Sequence, residues 1–255
     1  MKNYNKFIYE QNTFDGFDVD EIVKVIQEDC KPYLDKFDTA LFRGMNINSE
    51  DSAVFSLFDR FKHREPRTTS IEAHTVLDNV FNEEFGWKAR SEGVFVDQNF
   101  GNEYGSGLYL FFPRGDFDYL WSPKVEDLLS YVEYSLYDFT YKSYLEDISN
   151  GDHIYYDYAK GEEDEIDRGG DKTNVKSESE WELAREKYFR SIVQTYRVDG
   201  VPSKERRSNE IMFNVDQYYL LYYKNIWGGL PFGKALSDNY NNDVSKVLDR
   251  LGLKV

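Results

Sequence analysis

Two charged residues, a glutamate and an arginine, lie at the ends of apolar segments and are of kinds that can take part in catalysis or ligand binding. Glu210 directly precedes the aromatic run IMFNVDQYYLLYY, and Arg43 lies near the end of TALFRGM, residues 39–45. A carboxylate can stabilise positive charge that develops in a reaction, and a planar guanidinium binds phosphate oxygens in a fixed geometry. Each residue also has a structural alternative. Glu210 could protect a strand edge, and Arg43 could pair with an interior carboxylate.

Two more segments carry side chains suited to ligand binding. The loop REPRTTS contains Arg64 and Arg67, which could act as a second clamp on oxyanions. The stretch VFVDQNFGNEYGSGLYLFFPRGDF reads as strand, polar loop and strand, and it carries Tyr104, Tyr109 and Phe112. Aromatic rings stack on flat heterocycles, so any of the three could contact one.

The elements that must position these residues form a mixed pattern. Apolar spacing and caps predict helices over residues 19–29, 71–85, 123–145 and 243–251, a short helix from Ser49 through SAVFSLFDRF, and a helix after the capping box of Ser177 and Glu180. Strands are predicted over residues 39–45, 90–97 and 106–117, and over the run that follows Glu210. Because helices and strands do not alternate as βαβ units, we predict an α+β fold.

Composition sets the class of protein. The chain has 255 residues, of which 40% are hydrophobic, so it can bury a large core within one domain, residues 1–255. We expect a helical N-terminal segment over residues 1–38 and an exposed, acidic and Gly-rich insertion over residues 149–176. No apolar run is long enough to span a bilayer and no secretory signal is evident, which indicates a cytoplasmic protein.

Charge and cysteine content exclude several kinds of site. There are 31 Lys and Arg against 47 Asp and Glu, a formal charge of −16, which disfavours nonspecific nucleic-acid binding. The same charge suits an acidic protein that mimics DNA toward a basic partner. A single cysteine, Cys30, and three scattered histidines predict no metal site. We expect Cys30 to be a buried small side chain.

The order of these segments resembles that of the ADP-ribosyltransferases. LFRGM resembles the family's first core strand, which an arginine closes; VFVDQNFGNEYG resembles its middle stretch; and NEIMFNVDQYYLLYY resembles the strand that carries the catalytic glutamate. The likeness spans residues 39–223. The RG, FV, YG and FP blocks also resemble those of phage-encoded proteins, which implies a viral source.

The resemblance implies a split β-sheet core and NAD as the substrate. Glu210 would then stabilise the oxocarbenium ion of the ribose and hold its 2′-hydroxyl, and Arg43, beside Gly44, would bind the pyrophosphate. Arg64 and Arg67 would form the second clamp, while Tyr104, Tyr109 or Phe112 would stack on nicotinamide. The acceptor would be a protein or nucleic acid of the host or the virus.

Two positions depart from the family's pattern. Phe95, Val96 and Asp97 stand where the family has a Ser-Thr-Ser strand, and Ser208 stands two residues before the glutamate, where the family often has Gln or Glu. An acceptor other than arginine and a noncatalytic protein therefore both stay open. The noncatalytic alternatives are an acidic viral protein that inhibits a host factor and a virion component.

Overall fold

The computed structural model describes residues 18–45, 54–60, 64–66, 69–98, 107–133, 135, 138, 140–143, 145, 177–200, 209–225 and 238–255. The helices in these ranges are α1 (Val19–Asp29), α2 (Lys31–Lys36), α3 (Ile71–Phe85), α4 (Ala89–Glu92), α5 (Leu128–Glu133), α6 (Glu178–Val193) and α7 (Asp238–Leu251). The strands are β1 (Leu41–Met45), β2 (Phe55–Asp59), β3 (Val94–Val96), β4 (Gly107–Pro113), β5 (Asp118–Trp121), β6 (Ile211–Asn214) and β7 (Gln217–Asn225). The α+β prediction is confirmed.

The chain forms two compact units. The first unit comprises Met1–Arg60, Val94–Tyr119 and Val201–Val255, and the second comprises Phe61–Gly93 and Leu120–Gly200. Most of the strands belong to the first unit, whereas α3, α4, α5 and α6 belong to the second. Among the described residues, no helix is both long enough and apolar enough to cross a bilayer.

The first unit is built on a four-stranded antiparallel sheet in the order β1-β4-β7-β2. Side chains alternate between the two faces of such a sheet. The register therefore puts Arg43 of β1 and Tyr109 of β4 on one face together with Phe111, and Phe112 on the other face. Cross-strand aromatic pairs, such as Phe55 stacked on Tyr219 with ring centroids 5.0 Å apart, stabilise this pairing.

A smaller sheet has the order β3-β6-β5. Phe213 of β6 is fully buried and packs on Phe111 of β4, with ring centroids 5.1 Å apart. An antiparallel bridge between Phe42 and Asp97 connects β1 with the end of β3. Strand β3 is thus the neighbour of both β1, which contains Arg43, and β6, which Glu210 directly precedes.

Helices α1 and α2 belong to the first unit, and residues recognisable in the sequence mark where they begin. The Asp18 carboxylate accepts hydrogen bonds from the backbone of Asp20 and Glu21, which begins α1 as predicted. Pro32 does end the pattern of α1, but it also opens α2, where its missing N–H costs nothing. Cys30 is buried between these helices, as expected, and burial raises the pKa of its thiol.

The second unit is organised by α3 and α6, whose caps confirm the predicted boundaries. The hydroxyl of Ser177 accepts a hydrogen bond from Glu180 N at 3.3 Å, and Gly86 ends α3 with a φ of 82°. The spacing of Ile71, His74, Leu77, Val80 and Phe81 predicts that they share one buried face of α3, which is correct for the last four. It is wrong for Ile71, which is 55% exposed in the first turn.

Several predicted elements have a different form. The segment predicted as a helix after Ser49 contains β2, because its aromatic side chains pair with β7; Ser49 itself lies outside the described residues. The run after Glu210 is not one strand but β6 and β7, separated by Val215 and Asp216. Residues 90–92, predicted as the start of a strand, belong to α4, and β5 was not predicted.

The helix predicted from Pro123 begins later. The Ser122 hydroxyl accepts hydrogen bonds from Lys124 N and Val125 N as a cap would, but the chain then makes a bend. Helix α5 starts at Leu128, after Asp127 accepts a hydrogen bond from Leu129 N at 2.9 Å. Asp127 is therefore the residue that begins this helix.

Candidate functional site

The Arg43 side chain donates one hydrogen bond to a described residue of the first unit. Its Nη1 donates to the backbone carbonyl of Phe95 at 2.8 Å, and its guanidinium lies 5.7 Å from the ring centroid of Tyr218. Its Nε is buried and has no hydrogen-bond partner among the described residues. The guanidinium is thus oriented by β3 and an aromatic ring while keeping donor capacity for a further oxygen.

Glu210 lies at the end of the neighbouring ladder. It directly precedes β6, its side chain is half-buried, and its Oε1 is shielded from solvent. Because Val96 pairs with Ile211, the register extended by one residue sets Glu210 across from Asp97. Glu210 is therefore not a fully solvated residue: one of its carboxylate oxygens is shielded from water.

The strand register brings the backbones of the two predicted catalytic residues close together but not their side chains. Asp97 bridges Phe42 and lies across from Glu210, whereas Arg43 is level with Val96 and Ile211. Neighbouring strands are about 4.8 Å apart, which sets the two backbones about 10 Å apart across β3. Because successive positions alternate between the faces of a sheet, the side chains of Arg43 and Glu210 leave opposite faces of these strands.

Further polar side chains surround this end of β3 and β6. Asp97 and Asn209 are 1% and 4% exposed, respectively, in a unit whose interior is otherwise largely aromatic. Buried polar groups are costly unless they are hydrogen-bonded, so clusters of them mark places where polarity is needed. Asp97 was singled out as a departure from the family's pattern, and the structure sets it beside the predicted catalytic glutamate.

The remaining predicted ligand-binding residues divide into separate groups. Tyr109 is on the face of the sheet that carries Arg43 and packs edge-on against Tyr222, with centroids 5.5 Å apart. Gly44 is half-buried and pairs with Leu108 near the end of β1, an outer strand of the sheet. Phe112 lies on the opposite face, buried against Tyr33, so it is not brought together with Arg43.

The loop predicted as a second clamp is described only in part. Arg64 belongs to the second unit, where its side chain is exposed and its backbone N donates to Ser91 O at 3.1 Å. Arg67 and Tyr104 lie outside the described residues, as does Ser208. The clamp and the stacking role of Tyr104 therefore stay predictions.

A polar cluster in the second unit was not anticipated from the sequence. The carboxylate of Asp78 accepts hydrogen bonds from Arg90 N at 2.8 Å, from Ser91 N at 3.3 Å and from the Ser91 hydroxyl. Nε2 of His74 lies 3.0 Å from Ser91 Oγ. The spacing of His74 and Asp78, one helical turn apart on α3, was the available signal.

The geometry of this cluster is that of a structural network. Because the Ser91 hydroxyl donates to Asp78, Nε2 of His74 carries the proton that it shares with Ser91 Oγ. Burial lowers the pKa of His74, and the nearby Arg90 and Arg64 act in the same direction, while Asp78 opposes them. A catalytic triad needs the carboxylate on the other ring nitrogen, so this arrangement fixes α4 and does not activate the serine.

Comparisons extend beyond the site itself. Among the described residues, no group of three or more His, Cys, Asp or Glu side chains is arranged to hold a metal ion. Comparison of the chain with protein-family models, curated proteins and solved structures found no match.

Proposed function

We propose that this protein is an NAD-dependent ADP-ribosyltransferase-like enzyme whose site is formed by Arg43 and Glu210. The observation that carries the proposal is the placement of their backbones on either side of β3, about 10 Å apart. Because the two side chains leave opposite faces of these strands, NAD would have to reach both of them around the end of β3. Two antiparallel sheets joined through β1 and β3 support a split-sheet core of the kind that the family's motifs imply.

Arg43 would bind the pyrophosphate of NAD. Its Nη1 is committed to the Phe95 carbonyl, which fixes the plane of the guanidinium, and the Tyr218 ring supports it from the side. The remaining N–H groups can donate to phosphate oxygens. A pre-oriented guanidinium loses little entropy on binding, so even one such residue supports binding of an anionic ligand to an acidic protein.

Glu210 would act on the ribose. When the nicotinamide–ribose bond breaks, nicotinamide leaves with the bonding electrons and positive charge develops on the sugar, which a nearby carboxylate stabilises. Shielding of Oε1 from solvent strengthens this interaction, because charges interact more strongly where water is excluded. Asp97, across from Glu210 in the register, adds a second acidic group beside the ribose position and distinguishes this chain from the Ser-Thr-Ser pattern.

The macromolecule that accepts ADP-ribose would belong to the host or the virus, with a phage as the source. Asp97 and Ser208 make an arginine acceptor the least favoured. The rival proposal is a noncatalytic acidic protein, charge −16, that occupies a basic surface of a host factor or is part of the virion. NAD consumption separates these proposals, because the rival requires none.

The test is release of nicotinamide and transfer of label from NAD, measured with purified protein in cell extract. We expect the wild type to release nicotinamide and Glu210→Gln to lose at least about 100-fold of that rate, since removal of one charge-stabilising group typically costs this much. Glu210→Gln keeps the size of the side chain, so circular dichroism and thermal unfolding should match the wild type.

A matched control is Glu72→Gln, an exposed carboxylate on α3 in the second unit, which should leave the rate unchanged. If the wild type neither binds nor consumes NAD, the catalytic proposal is wrong. A pull-down from host lysate that is lost at raised salt would then support the acidic-partner proposal, since screening weakens charge-driven contacts.

A further inference from the structure

The buried stripe of α6 contains an arginine. Trp181, Tyr188 and Ile192 face the interior of the second unit at helical spacing, and Arg185 lies among them with only 3% of its surface exposed. Arginine is almost never fully buried unless it is paired. A charged residue at a core position breaks the local pattern, and such breaks occur preferentially at functional sites.

The pairing of Arg185 is incomplete. Its Nη2 contacts the carboxylate of Glu182, one turn earlier on the same helix, and that partner's side chain is 46% exposed. Its Nε and Nη1 are buried and have no hydrogen-bond partner among the described residues. The guanidinium therefore has two nitrogen atoms whose hydrogens face no acceptor in the described part of the chain.

Arg190 on the same helix provides a contrast. It is more exposed, yet it pairs with three carboxylates: Glu83, Glu84 and Glu186. Helix α6 thus gives its solvent-accessible arginine a full set of partners and its buried arginine a single one. An unpaired charge costs more free energy in the interior of a protein than at its surface. Arg185 therefore needs a second partner more than Arg190 needs any one of its three.

We propose that Arg185 is the anchor of an oxyanion-binding site in the second unit, in which a phosphate or carboxylate group of a small ligand accepts hydrogen bonds from Nε and Nη1. Buried unsatisfied donors in a native protein commonly mark the position of an ion or water. A negatively charged oxygen matches a guanidinium best, because charge-assisted hydrogen bonds are about twice as strong as neutral ones.

An aromatic surface lies next to this anchor. Trp181 is one turn before Arg185 on α6, and its ring lies 6.3 Å from that of Tyr141. Large aromatic side chains exclude water from a neighbouring ion pair and so strengthen it. The chemistry of the surroundings favours an anion carried on a small organic ligand or a bare phosphate, and it disfavours a hydrated cation.

This site is independent of the proposed NAD site. Arg185 belongs to the second unit, whereas Arg43 and Glu210 belong to the first. Failure of the NAD proposal would leave the oxyanion proposal untouched, and the reverse is also true. Variants at Arg43 thus serve as controls for phosphate that binds elsewhere.

The experiment is thermal unfolding of the full chain in increasing sodium phosphate, compared with sodium chloride at matched ionic strength. We expect a saturable rise in Tm of several degrees with phosphate beyond that with chloride, because a ligand that binds only the folded state stabilises it. A parallel titration with succinate distinguishes a phosphate site from a carboxylate site. Isothermal titration calorimetry with inorganic phosphate should give one site per chain.

Three variants show which arginine is responsible for the phosphate-dependent rise in Tm. Arg185→Met, of similar length and no charge, should lose the phosphate-specific shift, whereas Arg190→Met and Arg43→Ala should retain it. A phosphate effect that persists in Arg185→Met would overturn the proposal. If Arg185→Met does not fold, the wild-type titration still decides, because the absence of a saturable effect of both phosphate and succinate would also overturn it.

Discussion

The two compact units treat their buried polar groups in different ways. In the second unit, Asp78 accepts three hydrogen bonds from Arg90 and Ser91, and His74 contacts the same serine. In the first unit, the Arg43 side chain donates one hydrogen bond, to the carbonyl of Phe95, and its buried Nε has no hydrogen-bond partner among the described residues. The Asp78 network of the second unit is thus closed by several hydrogen bonds, whereas Arg43 in the first unit keeps a buried donor that no described residue accepts.

The comparison also shows why a familiar set of residue types is a poor guide to function. Serine, histidine and aspartate lie together in the second unit, yet the carboxylate and the serine share one imidazole nitrogen. The other nitrogen, Nδ1, is buried without a hydrogen-bond partner among the described residues. Geometry, not composition, separates a catalytic arrangement from a structural one.

Removal of the Asp78 carboxylate, the hydrogen-bond acceptor at the centre of its network, should destabilise the second unit more than the other substitutions. Asp78→Ala leaves two backbone N–H groups and a hydroxyl without their acceptor in the interior, so we expect a loss of about 3 kcal/mol in the free energy of unfolding. Urea denaturation measures it. Asp35→Ala, which removes an exposed ion pair with Lys31, is the control and should cost less than about 0.5 kcal/mol.

The end of α4 provides a steric test of the same unit. A Cβ at Gly93 would lie 2.3 Å from the carbonyl oxygen of Ala89, so Gly93→Ala should destabilise the protein by about 2 kcal/mol. Gly86 has open space but a φ of +82°, and Gly86→Ala should cost about 1 kcal/mol. Equal effects of the two substitutions in thermal unfolding would contradict the steric argument.

A substitution at Arg43 tests whether the buried polar group of the first unit binds a ligand. Arg43→Met should lower NAD affinity about tenfold, the equivalent of 1.4 kcal/mol, while changing the free energy of unfolding by less than about 1 kcal/mol. Arg60→Met is the matched control, because Arg60 is already paired with Asn214 and Asp216. It should lower stability and leave NAD affinity unchanged, as measured by calorimetry.

The smallest expected effect is a pH dependence. Burial lowers the pKa of His74 in the folded protein below the ordinary value of 6.5, so on acidification the unfolded chain takes up a proton first. Stability should therefore fall as pH decreases through 6.5 toward the folded-state pKa. His74→Gln should flatten this slope in urea titrations at several pH values, and an unchanged slope would contradict a neutral buried His74.

Much of the local structure followed from short-range patterns. The bounds of α1 and α3 and the capping residues Asp18 and Ser177 were predicted, because each depends on contacts within one helical turn. The helix predicted over residues 123–145 begins only at Leu128, and the described part of the helix predicted after Ser49 is strand β2. In β2, residues with helical spacing pair instead with β7, as Phe55 does with Leu221.

Sequence by itself determined the α+β class, the main caps and the two residues, Arg43 and Glu210, on which the proposed function depends. Only the tertiary structure decided that β3 lies between their strands, that Asp97 lies across from Glu210, and that Arg185 is buried with one carboxylate partner among the described residues. The physical reason is the separation along the chain of the residues that interact. Caps and helical faces depend on neighbours within a turn, whereas strand pairing and burial depend on residues far along the chain, whose positions local spacing does not specify.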